Sequence, residues 1–126
     1  FIRVIDRLKV SHRIDPAIYR FVIQKKDKPF LQVLRDAPDP LPYVRSYFSL
    51  LSKLSKLGLA NLDPNMGKNF GFIDGEAIEI DFGNFAFNHT LAAQDPEQFS
   101  NRLIRWLKQH RPDCPIADIR QYPIFE

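Results

Sequence analysis

The sequence predicts an α+β domain. Two stretches alternate apolar and polar residues around tight turns, two others repeat apolar residues at helical spacing, and a proline-rich connection separates the first hairpin pattern from the first helix. With 126 residues, 44% of them hydrophobic and eleven of them Phe, the chain is expected to form a single domain, 1–126, with a real core, and the composition argues against disorder. The net charge of +3 and pI near 9.1 suit a phosphate-bearing ligand without demanding nucleic acid.

The elements follow in order. Residues 1–14, FIRVIDRLKVSHRI, fit a helix at their start and a strand at their end, so both readings stand. AIYRFVIQ (17–24) and PFLQVLRD (29–36) alternate across the charged turn Lys25-Lys26-Asp27-Lys28 and read as a β-hairpin. A competing reading starts a helix at Asp15 with Pro16 behind it. DAPDPLP (36–42) is a stiff linker. Val44, Tyr47, Phe48, Leu51 and Leu54 then recur at helical spacing, with Gly58 where a C-terminal cap belongs and Arg45, Ser49, Ser52, Lys53 and Lys56 on the outer face. A second hairpin joins NFGFI to AIEIDF through Asp74-Gly75. Asp95 as N-cap, Pro96 behind it and Gln98 at the capping-box position open a last helix. That helix runs to about His110, buries Phe99, Leu103, Trp106 and Leu107, and turns Arg102, Arg105 and Lys108 outward until Pro112 stops it. The apolar tail from Asp113 is expected to dock on the domain.

Polar residues concentrate in NLDPNMGKNFGFIDGEAIEIDFGNF, residues 61–85. A hairpin needs only its Asp-Gly turn, yet this stretch adds Asp63-Pro64-Asn65, Lys68-Asn69 and Asp81-Phe82-Gly83. Turn initiation at Asp63 and a strand-end cap at Asp81 account for them structurally. Their order, a helix ending at Gly58, a polar loop from Asp63, a short hairpin, then Asp-Phe-Gly, resembles the core of the protein-kinase-like fold. The separation 81 − 63 = 18 is similar to that between the catalytic and metal-binding aspartates of the family. The resemblance spans about residues 17–85.

It implies residues 1–41 as small-lobe remnant and hinge, 42–126 as a large-lobe-like part, and a small lobe truncated or reduced. It further implies ATP and Mg²⁺ as cofactors and a protein or small-molecule phosphate acceptor. By the resemblance, Asp63 is the base or orienter, Asp81 takes the metal, Asn69 is the second metal ligand, and Lys68 lies near phosphate charge. Some positions depart from the family pattern. Asn61 stands where the family places His, and the position five after Asp63 is Lys68, with Asn69 at six. The 126 residues contain no glycine-rich phosphate loop, no strand lysine paired to a helix glutamate and no Ala-Pro-Glu. The chain alone is therefore expected not to transfer phosphate at an ordinary enzymatic rate.

The functional expectation is thus nucleotide- and Mg²⁺-dependent phosphotransfer, or a pseudokinase-like relative that retains nucleotide binding. The alternative is a non-enzymatic interaction module on the same scaffold. Nucleic-acid binding through the Arg102, Arg105, Lys108 face is not expected. His12, His89 and His110 lack metal-ligand spacing. The single Cys114, the missing signal segment and the lack of an apolar run of about 18–20 residues lead to the expectation of a cytoplasmic protein without a membrane span. The chain opens on Phe1 rather than Met, and a processed product or fragment is expected.

Overall fold

The computed structural model describes residues 1–18, 24–81 and 83–115. Its elements are β1 (Ile2–Ile5), β2 (Ser11–Ile14), β3 (Lys28–Pro29), α1 (Phe30–Asp36), α2 (Leu41–Lys56), β4 (Leu59–Asn61), α3 (Met66–Asn69), β5 (Phe70–Ile73), β6 (Glu76–Glu79), β7 (Phe85–Phe87), α4 (His89–Ala92) and α5 (Asp95–His110). The architecture is mixed α+β. Small antiparallel sheets, β1-β2, β3-β5-β6 and β4-β7, accompany the helices.

Residues 1–14 resolve as a hairpin. Its reversal is organised by Asp6, whose Oδ1 accepts from the Leu8 and Val10 amides at 2.8 and 3.0 Å, while Lys9 takes φ +65°. The expected strand at 29–36 is instead the helix α1. Phe30 and Leu34 enter the core together while Gln32 between them is exposed, which one face of a helix gives and period two does not, and tertiary burial overrides the β-branched and aromatic bias. Only Lys28 and Pro29 pair as a strand, against Phe72 and Gly71, where the Asp27 side chain lies so close to Gly71 that no Cβ fits without displacing it. Most of the expected strand at 17–24 lies outside the described residues. At Asp15 there is a turn, its Oδ1 accepting from the Ala17 amide at 2.9 Å.

α2 lays Val44, Tyr47, Phe48 and Leu51 against the core and ends as expected: Gly58 follows it at φ +74°, and its amide donates to the Ser55 carbonyl at 3.0 Å. A Cβ at Gly58 would stand 2.7 Å from His89 ring atoms. Gly58→Ala is expected to cost about 1–3 kcal/mol, from the left-handed backbone plus that collision, measured as a lowered urea midpoint. Replacing His89 by Ala in the same chain should recover the steric part.

The β5-β6 hairpin turns on Asp74 and Gly75, both at positive φ, as Asp-Gly predicts. Its outer edge is closed by α2, where Ser46 Oγ accepts from the Ala77 amide at 2.8 Å. Phe70 and Phe72 point into the core. Phe30 stacks on Phe72 at 5.1 Å and meets Tyr47 edge-on at 4.7 Å, and Phe70 bridges Tyr47 and Phe99. β4 and β7, neither expected, pair with each other and close the loop between them.

α5 departs from expectation at its start. Gln94 occupies the N-cap in a helical conformation without a side-chain cap, and Asp95 is already the first helical residue. The Asp95 carboxylate reaches across to β4 instead, so no capping box forms. Inside the helix Phe99, Leu103, Ile104 and Leu107 are buried, whereas Trp106 is half-buried and stacks on His110 at 4.7 Å. Arg102, Arg105 and Lys108 are exposed, as expected. Cys114 is buried at the edge of the core, and the tail from 116 onward lies outside the described residues.

Candidate functional site

The site is built on the connection from β4 to β7. Leu62, just past β4, donates its amide to the Asn84 carbonyl at 2.8 Å, continuing the β4-β7 ladder and drawing both ends of the insertion together. Within it, side-chain-to-backbone bonds fold the loop one link at a time. Asn61 Oδ1 accepts from the Asp63 amide at 3.0 Å, Asp63 Oδ1 from the Asn65 amide at 3.0 Å, and Asn65 Oδ1 from the Lys68 amide at 3.1 Å. The last of these caps α3, and Asn/Asp at this spacing are suited to the task because a short side-chain oxygen reaches an amide two or three residues on.

Asn69 ends α3 and is 1% exposed. Its Nδ2 donates to the Asp63 carbonyl at 3.1 Å, and its own carbonyl accepts from the Ile80 amide at 2.7 Å. One buried residue therefore ties the loop of Asp63 to the residue preceding Asp81. β6 ends at Glu79, so Asp81 lies two residues beyond the strand rather than in it. Asp81 Oδ1 accepts from the Gly83 amide at 3.0 Å, and Oδ2 faces Lys68 Nζ at 3.8 Å, an ion pair weakened by solvent. Phe82 lies outside the described residues. Asp63 and Asp81 are half-buried and Lys68 is exposed.

Beneath these groups lies a carboxyl that the sequence reading did not single out. Glu79 is 7% exposed; Oε1 accepts from Asn61 Nδ2 at 3.3 Å, and Oε2 is buried without a hydrogen-bond partner among the described residues, as is the Tyr47 hydroxyl. Burial, followed by the charges of Asp81, Asp63 and Asp95, pushes the Glu79 carboxyl up to about 8 from an ordinary 4.5. Burial, and next the Glu79 charge, holds the Tyr47 hydroxyl well above its usual range. Asp95 joins the cluster through its Oδ2, which accepts from the Asn61 amide at 2.7 Å, and burial raises its carboxyl too. Asn61 is thus the hub: its amide, its side-chain NH₂ and its side-chain oxygen engage Asp95, Glu79 and Asp63 in turn.

A pH dependence follows. The folded state keeps the Glu79 proton that the unfolded chain releases, so metal-free stability falls as pH rises from about 4.5 to about 8 and levels off above that. Thermal midpoints in chelator-containing buffer should show this decline between pH 6 and 8, and Glu79→Gln should flatten it. Equal slopes in both proteins would remove Glu79 as its source.

The expected site residues Asp63, Lys68, Asn69 and Asp81 are gathered on this one insertion. His89 is not among them; it opens α4 beside Gly58. His12 pairs with Asp6 at 2.8 Å on the N-terminal hairpin. Among the described residues, no three His, Cys, Asp or Glu side chains are grouped to hold a metal ion on their own, and no helix is long and apolar enough to cross a membrane. Comparison with protein-family models, curated proteins and solved structures yields no significant match.

Proposed function

We propose that the 61–85 insertion is the cation- and nucleotide-facing part of a kinase-like phosphotransfer domain, or of a pseudokinase-like relative that binds nucleotide without turnover. The observation that carries this reading is the double tether of Asn69, which couples the Asp63 loop to the approach to Asp81 across the hairpin between them. A plain hairpin has no use for that coupling. The order α2, polar loop, hairpin, aspartate also supports it.

Asp81 fits a hard cation. The Gly83 amide fixes one carboxylate oxygen, while the other is turned toward Lys68 at a partly solvated surface. Asn69 is buried and its NH₂ is committed to the Asp63 carbonyl, so only its Oδ1 remains to serve as a ligand. Two protein groups are too few to hold Mg²⁺ alone, and Mg²⁺ ordinarily completes its shell with phosphate oxygens and water. Bound with ATP, the ion would neutralise phosphate charge. Lys68 would add a further positive charge beside the phosphates, and Asp63, positioned by Asn61 and Asn69, would orient an acceptor hydroxyl.

Calorimetric titration tests this. Preformed Mn²⁺–ATP, its heat corrected for the same titration into buffer, should bind, Mn²⁺ alone should bind far more weakly, and Asp81→Asn should abolish the corrected heat while leaving the fold intact. A flat wild-type titration would end the reading. The second reading, a non-enzymatic interaction module, draws on the exposure of Val4, Ile5, Leu8 and Val10 on the N-terminal hairpin.

A further inference from the structure

The β1-β2 hairpin carries a feature that the nucleotide reading does not use. Its register sets Arg3 directly opposite Arg13 and Ile5 opposite Ser11, so the period of two places Phe1, Arg3 and Ile5 on one face with Arg13 and Ser11. Opposed residues on such a ladder have Cβ atoms about 4.5–5.5 Å apart, and like charges there are destabilising. Among the described residues neither arginine has a carboxylate partner, and the hairpin's own acidic group, Asp6, is committed to His12 and to the Leu8 and Val10 amides. The Arg13 guanidinium is held over the Phe1 ring, 3.9 Å from its centroid. Phe1, Ile2, Arg3, Ser11 and Arg13 line a cavity of about 340 Å³.

We propose that this cavity binds the phosphate group of a small molecule, gripped by the Arg3 and Arg13 guanidinium groups with the Ser11 hydroxyl as a third donor. A dianion between the two arginines converts their repulsion into two charge-assisted, fork-shaped contacts. The Phe1 contact reduces the freedom that Arg13 has to lose on binding. The cavity is larger than a bare phosphate needs, leaving room for the group that carries it. A two-stranded hairpin is marginal by itself, so an occupied cavity would also stabilise β1-β2.

The test is NMR titration of the ¹⁵N-labelled chain at fixed ionic strength, reading the arginine Nε–H signals. Inorganic phosphate and ribose 5-phosphate are the two probes, with chloride as control. Saturable shifts at Arg3 and Arg13 are expected with at least one phosphate probe, and Asp81→Asn should leave them unchanged, which separates this site from the nucleotide site. Arg13→Lys keeps the charge but loses the fork and should weaken binding about tenfold, its intact hairpin amide signals showing that β1-β2 still forms. Saturation by both probes alike would assign recognition to the phosphate alone. Saturation by the ester only would add the sugar. Absence of saturation with either probe, shifts matched by chloride, or undiminished affinity in Arg13→Lys would overturn the proposal.

Discussion

Phe70→Ala is expected to cost about 3–5 kcal/mol, a large share of the total stability of a domain this size. Phe70 is fully buried, 4.9 Å from Tyr47, 6.0 Å from Phe99 and 6.1 Å from Phe30 between ring centroids, so it joins α1, α2, β5 and α5 in one cluster. Truncation removes the transfer free energy of the ring and leaves a cavity that four elements cannot all close upon. Phe70 also follows Asn69, so the loss should reach the site by loosening the tether on Asp63. Urea unfolding of wild type, Phe70→Ala and Phe70→Leu provides the check, with the leucine variant expected to recover most of the loss. A cost below about 1 kcal/mol for the alanine variant would show that the aromatic cluster does not hold the fold together.

Arg111→Ala should produce the next largest effect, about 2–4 kcal/mol. The Arg111 side chain is 11% exposed and donates to the Leu34, Ala37, Pro38 and Arg35 carbonyls at 2.8, 2.6, 3.3 and 3.4 Å, gathering the unsatisfied carbonyl end of α1. Its other donors form a two-pronged pair with Asp113 at 2.9 and 3.0 Å, and that pairing raises the guanidinium above its ordinary value. One side chain therefore fastens the exit of α5 to the exit of α1. Arg111→Lys should recover only part of the stability, because a point ammonium cannot reproduce the fork. Amide exchange would localise the effect, with protection in α1 falling before that in α2. Full stability in the lysine variant would mean that charge alone matters there.

The parts of the fold legible in the sequence are those where local chemistry and burial agree. α2 carries both its apolar spacing and its Gly58 terminator, and the Asp74-Gly75 turn needs positive φ at two successive residues, which few other pairs supply. The strand expectation for Phe30–Asp36 fails because its Phe, Val and Leu satisfy strand and helix templates alike, and only the exposure of Gln32 between the buried Phe30 and Leu34 decides between them. Asp95 looked like a cap because its local sequence is that of one, but its carboxylate is engaged by Asn61, thirty-four residues earlier. No local rule contains that contact.

Within the site, Asp63, Lys68, Asn69 and Asp81 were visible as polar residues in excess of what a hairpin needs. Glu79 and Asn61 were not. Glu79 reads as one side of an imperfect alternation, and its burial depends on α2 covering that face of β6. Asn61 departs from the kinase-like pattern, and the structure makes it the residue on which Asp63, Glu79 and Asp95 converge. The Asn-x-Asp spacing at 61–63, which permits a side-chain turn, was the available signal.

On the proposed reading, Asp81 and Asn69 hold one cation when nucleotide is present, with Asp63 beside it. Paramagnetic broadening by trace Mn²⁺ in the presence of ATP tests it most directly, since the ion erases amide signals only in its neighbourhood. The Asp63, Lys68, Asn69, Asp81 and Gly83 amide signals are expected to vanish while those of Arg102, Arg105 and Lys108 on α5 persist, and the lost signals should return in Asp81→Asn. Broadening centred elsewhere on the chain, or the same pattern in wild type and Asp81→Asn, would contradict it.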